Sequence, residues 1–190
     1  VPSGLKELDQ MTSGFQKSEL IIIGARPSVG KTALALTMAA HTAIKEKIPT
    51  AFFSLEMSDM QLMMRLLSSE AHIPSENLRS GLLRMKDFQD IQDAAGRIYD
   101  APLYIVDMPN MKLLDLRAMA RRLRTQNEVQ IIFVDYLRKL RTDSKITDER
   151  LRVDDILTNL TDLAKAYNTP IFAISELARD SYKSGQRLRM

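Results

Sequence analysis

Two kinds of hydrophobic pattern alternate along the chain. Short apolar runs bounded by turn residues recur at 20–24, 50–55, 103–107, 130–135 and 170–175, each rich in Ile, Val, Phe or Ala. Runs of that length without polar alternation predict strands buried on both faces, as in a parallel sheet. Between them, apolar positions repeat with helical periodicity over 31–45, 59–71, 86–99, 113–126 and 149–167. Strands alternating with helices predict right-handed crossovers, so the expected fold class is α/β, a mostly parallel sheet with helices on both faces. Ile73-Pro74-Ser75-Glu76-Asn77 opens with a helix breaker, and Ser80-Gly81 marks a further turn before the next helix. No internal repeat or low-complexity segment interrupts the alternation.

A chain of 190 residues with 45% apolar content is long enough for one sizeable core, so one domain is expected over residues 1–190. There is no cysteine, which removes disulfides and thiolate metal sites and suits a reducing, cytoplasmic setting. No segment approaches the roughly 18 uncharged apolar residues of a membrane span. The start, Val1-Pro2-Ser3-Gly4, lacks the features of a signal peptide. The net charge of +3 does not announce a nucleic-acid binder. Basic residues do cluster: Arg117, Arg121, Arg122 and Arg124, then Arg138, Lys139, Arg141 and Lys145, then Arg179, Lys183, Arg187 and Arg189. Solvated helix faces and loop tips are the plainer explanation of such clusters.

Chemistry enters at Ala25-Arg26-Pro27-Ser28-Val29-Gly30-Lys31-Thr32, which follows the expected strand Ile21-Ile22-Ile23 and leads directly into an expected helix. That is a phosphate-binding loop in its required context. Amides of the loop and first helical turn converge on phosphate, and the helix N-terminus adds partial positive charge. Such a motif arises by chance on the order of once in a hundred chains of this length, judged from average residue usage. Arg26, Pro27, Ser28, Val29, Gly30, Lys31, Thr32 and Ala33 are therefore the expected ATP-binding residues. Lys31 is expected as a solvated cation that neutralises phosphate charge, and the Thr32 hydroxyl as a ligand to Mg²⁺. Ala25 stands where the motif usually has its first glycine, although Gly24 precedes it.

A second Mg²⁺ ligand is needed at the end of a neighbouring strand. Asp135 closes Ile131-Ile132-Phe133-Val134-Asp135 and fits that role, though a strand-terminal Asp also serves as a turn cap. Glu56 follows Phe52-Phe53-Ser54-Leu55, where its carboxylate could polarise the water that attacks the γ-phosphate. The alternative is that Glu56 caps the helix starting near Ser58-Asp59. Met57, Met60, Met63 and Met64 fit either an adaptable partner surface or core filler.

These stretches resemble the RecA-like ATPases and, more closely, the DnaB-type replicative helicases, over nearly the whole chain. The similarity is carried by Leu8-Asp9-Gln10-Met11-Thr12-Ser13-Gly14-Phe15, by the phosphate loop, and by Ser54-Leu55-Glu56-Met57-Ser58 with Gln61-Leu62 and Arg65. Ala120-Arg121-Arg122-Leu123 and Val134-Asp135-Tyr136-Leu137 extend it. The resemblance implies a helicase motor that hydrolyses ATP with Mg²⁺, with Glu56 as catalytic base beside Lys31. It also implies assembly into a hexameric ring on single-stranded DNA, with primase and a helicase loader as further partners.

Arg138, Lys139, Arg141 and Lys145 are the expected DNA contacts. Ser175-Glu176-Leu177 falls where the family usually has Ser-Gln-Leu, whose Gln senses the γ-phosphate. A carboxylate there repels phosphate unless it is protonated or re-aimed. The sequence ends at Met190, before the family's DNA-binding loop and the Lys and Arg that reach the neighbour's ATP site, and it does not include the N-terminal collar. Weak turnover by this chain alone is the corresponding expectation. Two other readings fit the same residues: a nucleotide-dependent recombination mediator or clock-type assembly ATPase, and a paralogue that binds nucleotide but turns it over poorly.

Overall fold

A computed structural model describes residues 1–142 and 148–176 of the chain. Five strands, β1 (Leu20–Ala25), β2 (Thr50–Ser54), β3 (Leu103–Asp107), β4 (Ile131–Asp135) and β5 (Ile171–Glu176), form one sheet in the order β1-β5-β4-β2-β3. Every neighbouring pair is parallel. All five expected strands are present, with ends shifted by a residue at most. The helices are α1 (Lys6–Thr12), α2 (Lys31–Ala40), α3 (Asp59–Ala71), α4 (Ser75–Ser80), α5 (Met85–Tyr99), α6 (Leu113–Asn127) and α7 (Glu149–Tyr167).

The central strands β2 and β4 are buried at every position. Successive side chains point to opposite faces, so one apolar run feeds two cores. Phe53, Ile132, Val134 and Ala173 pack with Leu116 and Ala120 of α6 and with Ile156 and Leu160 of α7. Phe52, Ile131, Phe133 and Phe172 pack with Leu36, Met38 and Ala39 of α2 and with Leu62 and Leu66 of α3. On that second face the rings form a chain: Phe52 to Phe133 at 6.0 Å, Phe133 to Phe172 at 5.2 Å, and Phe172 to Phe15 at 5.4 Å between centroids. Each such pair adds ~0.5–1.5 kcal/mol beyond the area it buries. This stiff sheet is the platform on which the strand ends are held.

Three local features differ from the periodicity. The helix expected over 31–45 is α-helical only as far as Ala40, after which His41–Lys45 widens into a π-helical turn. There the Thr42 hydroxyl donates to the Met38 carbonyl at 2.9 Å, a side-chain bond of the kind that bends helices. Residues 75–80, preceded by a helix breaker, form α4: Pro74 sits at its N-cap, where the missing N–H costs nothing, and Gly81 closes it at φ 73°. The short helix α1 has no buried residue and so leaves no apolar stripe to read. It is held through Asp9, whose Oδ1 accepts from the Ser3 amide at 2.8 Å. Burial pushes the Asp9 carboxyl up, but hydrogen bonds from Ser3 and Gly4 and the charge of His41 prevail and hold it below its ordinary value. Among the described residues no helix is long and apolar enough to cross a membrane.

Candidate nucleotide-binding site

The carboxyl ends of β1, β5, β4 and β2 lie side by side, and each carries a residue singled out above. Ala25, where the loop begins, is in register with Glu176 of β5, and Asp135 of β4 is in register with Ser54 of β2. Because β5 lies between β1 and β4, Glu176 falls between the loop and Asp135. The loop turns through two left-handed positions, Ser28 at φ 64° and Gly30 at φ 94°. A Cβ on Gly30 would meet nothing within 4 Å, so it is the backbone angle and not space that favours glycine there. Gly30 is also the N-cap of α2 and makes no side-chain capping bond, which leaves the first-turn amides to an anion. Arg26, Pro27, Ser28, Val29 and Ala33 are exposed, and Thr32 is half-buried.

Lys31 differs from its expectation as a solvated cation. Its side chain is only 9% exposed, and Nζ donates to Glu176 Oε1 at 2.5 Å. The ring of Tyr136 lies 5.1 Å from the same nitrogen. The cause is topological: β5 and the residue after β4 wall the lysine in from one side.

Asp135 is 1% exposed, and its Oδ1 is the one buried side-chain oxygen or nitrogen without a hydrogen-bond partner among the described residues. Burial raises its pKa above the ordinary value, as does the charge of Glu56, while a hydrogen bond from Thr32 and the charges of Lys31 and Arg65 oppose the rise. It does not cap the turn that follows, since the 3₁₀ turn Leu137–Lys139 has no side-chain cap. A buried, acceptor-only oxygen beside a threonine hydroxyl suits a hard divalent cation, which prefers oxygen ligands. Thr32 and Asp135 therefore fit the Mg²⁺ that a phosphate loop implies.

Glu56 is exposed just beyond the end of β2. The capping alternative fails on geometry. The N-cap of α3 is Ser58, whose Oγ accepts from the Gln61 amide at 3.3 Å while Gln61 Oε1 accepts from the Ser58 amide at 3.1 Å. That reciprocal box leaves Glu56 out of the helix. A hydrogen bond of 2.6 Å from the Ser54 hydroxyl to the Met57 carbonyl shapes the intervening turn.

Two residues quoted in the motifs carried no assigned role and turn out to face the site. Tyr136 stands over Lys31, and burial followed by the charges of Glu56, Glu176 and Asp135 pushes its phenol up. Arg65 of α3 places its charge towards Asp135. Tyr136 follows directly after a strand end, the place where ligand-facing residues are found in such sheets. A groove of about 600 Å³ between α2 and α3 borders the site and is lined by Ala33, Thr37, Met57, Met60, Met64 and Arg65. Met60 and Met63 are exposed, while Met57 and Met64 are half-buried and Met57 packs against the core on this face, so the four methionines divide between surface and core filler.

The basic segment after β4 is less open than a free loop. Arg138 pairs with Glu149 at 3.4 Å, and Arg141 Nη2 donates to Asn110 Oδ1 at 2.9 Å. Lys139 is exposed, with Nζ 5.8 Å from the Tyr136 ring. Lys145 lies outside the described residues, as do Arg179, Lys183, Arg187 and Arg189.

The parallel sheet, the glycine-turned loop at a helix N-terminus and the carboxylates at the strand ends define a P-loop nucleotide-binding domain of the α/β class. A family model described as the DnaB-like helicase C terminal domain matches residues 1–188, and the chain belongs to that family. The replicative DNA helicase DnaB of Treponema pallidum (strain Nichols) is 54% identical over 188 residues, covering 99% of this chain and 43% of that protein. The replicative DNA helicase DnaB of Geobacillus stearothermophilus is 43% identical over 180 residues, covering 94% of this chain and 40% of that protein. The chain thus spans less than half the length of these relatives.

Two solved structures share the RecA-like fold at a TM-score of 0.92 and 26% identity over 100% of this chain. One is a DnaB-like replicative helicase described with its interactions with primase, of which 46% is covered. The other is described as an ATPase domain, of which 68% is covered.

Proposed function

We propose that this domain is the ATP-hydrolysing motor of a replicative DNA helicase, acting with Mg²⁺ in the cytoplasm to move along single-stranded DNA and separate duplex. The observation that carries this reading is the buried Asp135 oxygen without a partner, held beside Thr32 at the foot of a phosphate loop in a chain of this family. Arg26 to Ala33 cradle the phosphates, all but Pro27 offering a backbone amide, and Lys31 neutralises their charge. Thr32 and Asp135 hold the metal, whose contribution when bound is to offset the charge that develops on the transferred phosphoryl oxygens. Glu56 stays free of the α3 cap and orients a water by accepting its proton. Glu176 lies where the terminal phosphate is sensed.

Turnover is coupled to DNA through a homo-oligomeric, hexameric ring. Arg138, Lys139, Arg141 and Lys145 face single-stranded DNA, and primase and a loader are the further partners. Relatives named as replicative helicases support this assignment. The test is strand displacement on a forked duplex by the full-length protein, with Lys31→Ala as the control. ATP-dependent displacement that Lys31→Ala abolishes is expected. DNA binding without displacement points instead to a recombination mediator, and equal ATP affinity in wild type and Lys31→Ala sinks the site itself.

A further inference from the structure

The phosphate site already holds an anion of its own. Lys31 Nζ donates to Glu176 Oε1 at 2.5 Å, a direct charge-assisted N–H···O contact. Both groups are shielded, with side-chain exposures of 9% for Lys31 and 26% for Glu176. The placement is a property of the backbone, because the parallel register sets Glu176 opposite Ala25, the residue that opens the loop. The Tyr136 ring, 5.1 Å from Nζ, closes off another side of the lysine. What remains for Nζ is the direction of the loop, from which a phosphate would come.

We propose that Glu176 is a built-in competitor for the terminal phosphate: its carboxylate takes on Lys31 the position that a phosphate oxygen takes in the loaded site, and a nucleotide binds by displacing it. The inference rests on reading the loop at 25–32 as the nucleotide site. Carboxylate and phosphate oxygens are both acceptors only, so neither can satisfy the other, and their like charges repel at contact distance. The lysine of a phosphate loop reaches both the β- and the γ-phosphate. A triphosphate brings more charge into the space beside Glu176 than a diphosphate does, so the competition weighs more heavily on ATP than on ADP. Glu176 thereby sets a threshold for loading and narrows the preference for the triphosphate.

Isothermal titration calorimetry with Mg²⁺ and either a non-hydrolysable ATP analogue or ADP tests this on wild type, Glu176→Gln, Glu176→Ala and Lys31→Ala. Removing the charge by either Glu176 substitution is expected to tighten the ATP analogue on the order of tenfold, equivalent to roughly 1.4 kcal/mol, with a smaller gain for ADP. Unchanged or weaker analogue binding in both variants overturns the competitor role. So does a gain in Glu176→Gln alone, since the amide would then be acting as a new hydrogen-bond donor. If those variants match wild type while Lys31→Ala loses binding, only this inference falls. If Lys31→Ala binds like wild type, the reading of the loop falls and the inference with it.

Discussion

Ser54 and Asp135 are register partners across the β2–β4 pair, and the Leu55 amide donates to the Asp135 carbonyl at 2.8 Å. The alignment determines where Glu56 emerges: one residue after that last ladder bond, at the edge of the space in front of the buried carboxylate. Neither strand alone conveys this, because Ser54 and Asp135 are 81 positions apart in the numbering. Parallel pairing brings a candidate base and a candidate metal ligand to one place.

If Glu56 orients the attacking water, Glu56→Gln in the full-length protein keeps the shape of the turn and loses only the proton acceptor. ATP binding should stay near wild type while turnover falls ~10²–10⁴-fold, the usual contribution of a general base. Steady-state ATPase assays beside calorimetric titration measure the two. Turnover at the wild-type rate would leave Glu56 without a chemical role, since Ser58 already provides the α3 cap.

For DNA, the ion pair of Arg138 with Glu149 and the bond of Arg141 to Asn110 pre-position two cations, whereas Lys139 lies against the Tyr136 ring. Each cation that neutralises a phosphate of a single strand adds about 0.7 to the steepness with which log affinity falls against log salt. Reversing Arg138, Lys139 and Arg141 to Glu should therefore flatten the slope by about 2 and weaken binding to oligo-dT without altering sequence preference. Fluorescence anisotropy across a salt series reads both quantities. Equal slopes in variant and wild type would put this segment on a face that DNA does not touch.

Gly4 supplies a test of how the N-terminal segment is anchored. Its φ is +84°, and a Cβ there would lie 2.5 Å from His41 Cγ and within 2.9 Å of two further atoms of that side chain. Gly4→Ala should destabilise by ~1–2 kcal/mol from the left-handed backbone alone, with the clash added to it. A lowered melting temperature that His41→Ala restores only in part would separate the two terms. A variant as stable as wild type would mean that this segment contributes nothing to folding.

The sheet was legible because β2 and β4 are buried on both faces, which demands unbroken apolar runs such as Ala51-Phe52-Phe53 and Ile131-Ile132-Phe133-Val134. Lys31, Thr32, Asp135 and Glu56 stand out as candidates in the sequence because phosphate chemistry restricts both residue type and position at strand ends. The strand order was not legible, since it depends on which helices cover which face. With it went the pairing of Lys31 with Glu176, two residues 145 positions apart. The helix α1 buries nothing and so shows no periodicity, while Pro74 reads as a breaker although it is well suited to the cap position it takes.

Asp135 should trade stability for ligand binding. Burial, then the charge of Glu56, raises its pKa above 3.8, against the hydrogen bond from Thr32 and the charges of Lys31 and Arg65. A raised folded-state value means that the folded chain holds this proton more tightly than the unfolded chain. Its contribution to stability is therefore largest below the ordinary carboxylate range and diminishes as pH rises through the raised value. At neutral pH in EDTA the folded protein carries a buried charge with one unpartnered oxygen. Asp135→Asn removes that charge at nearly constant shape and should stabilise the ligand-free domain at neutral pH, by about 1.4 kcal/mol for each unit by which the folded-state pKa is raised. The gain should shrink as pH is lowered towards 3.8, where the wild-type carboxyl also becomes neutral. Excess Mg²⁺ and ATP analogue should invert the order, because a ligand at a hundred times its Kd adds ~2.7 kcal/mol to the wild type and little to a variant that has lost a metal ligand. Thermal melts of both proteins in EDTA and in Mg²⁺-nucleotide, from the acid range up to neutral pH, measure all of this. An Asp135→Asn protein less stable than wild type in EDTA at every pH would show that the carboxylate has a structural partner, and the metal-ligand role would lose its main support.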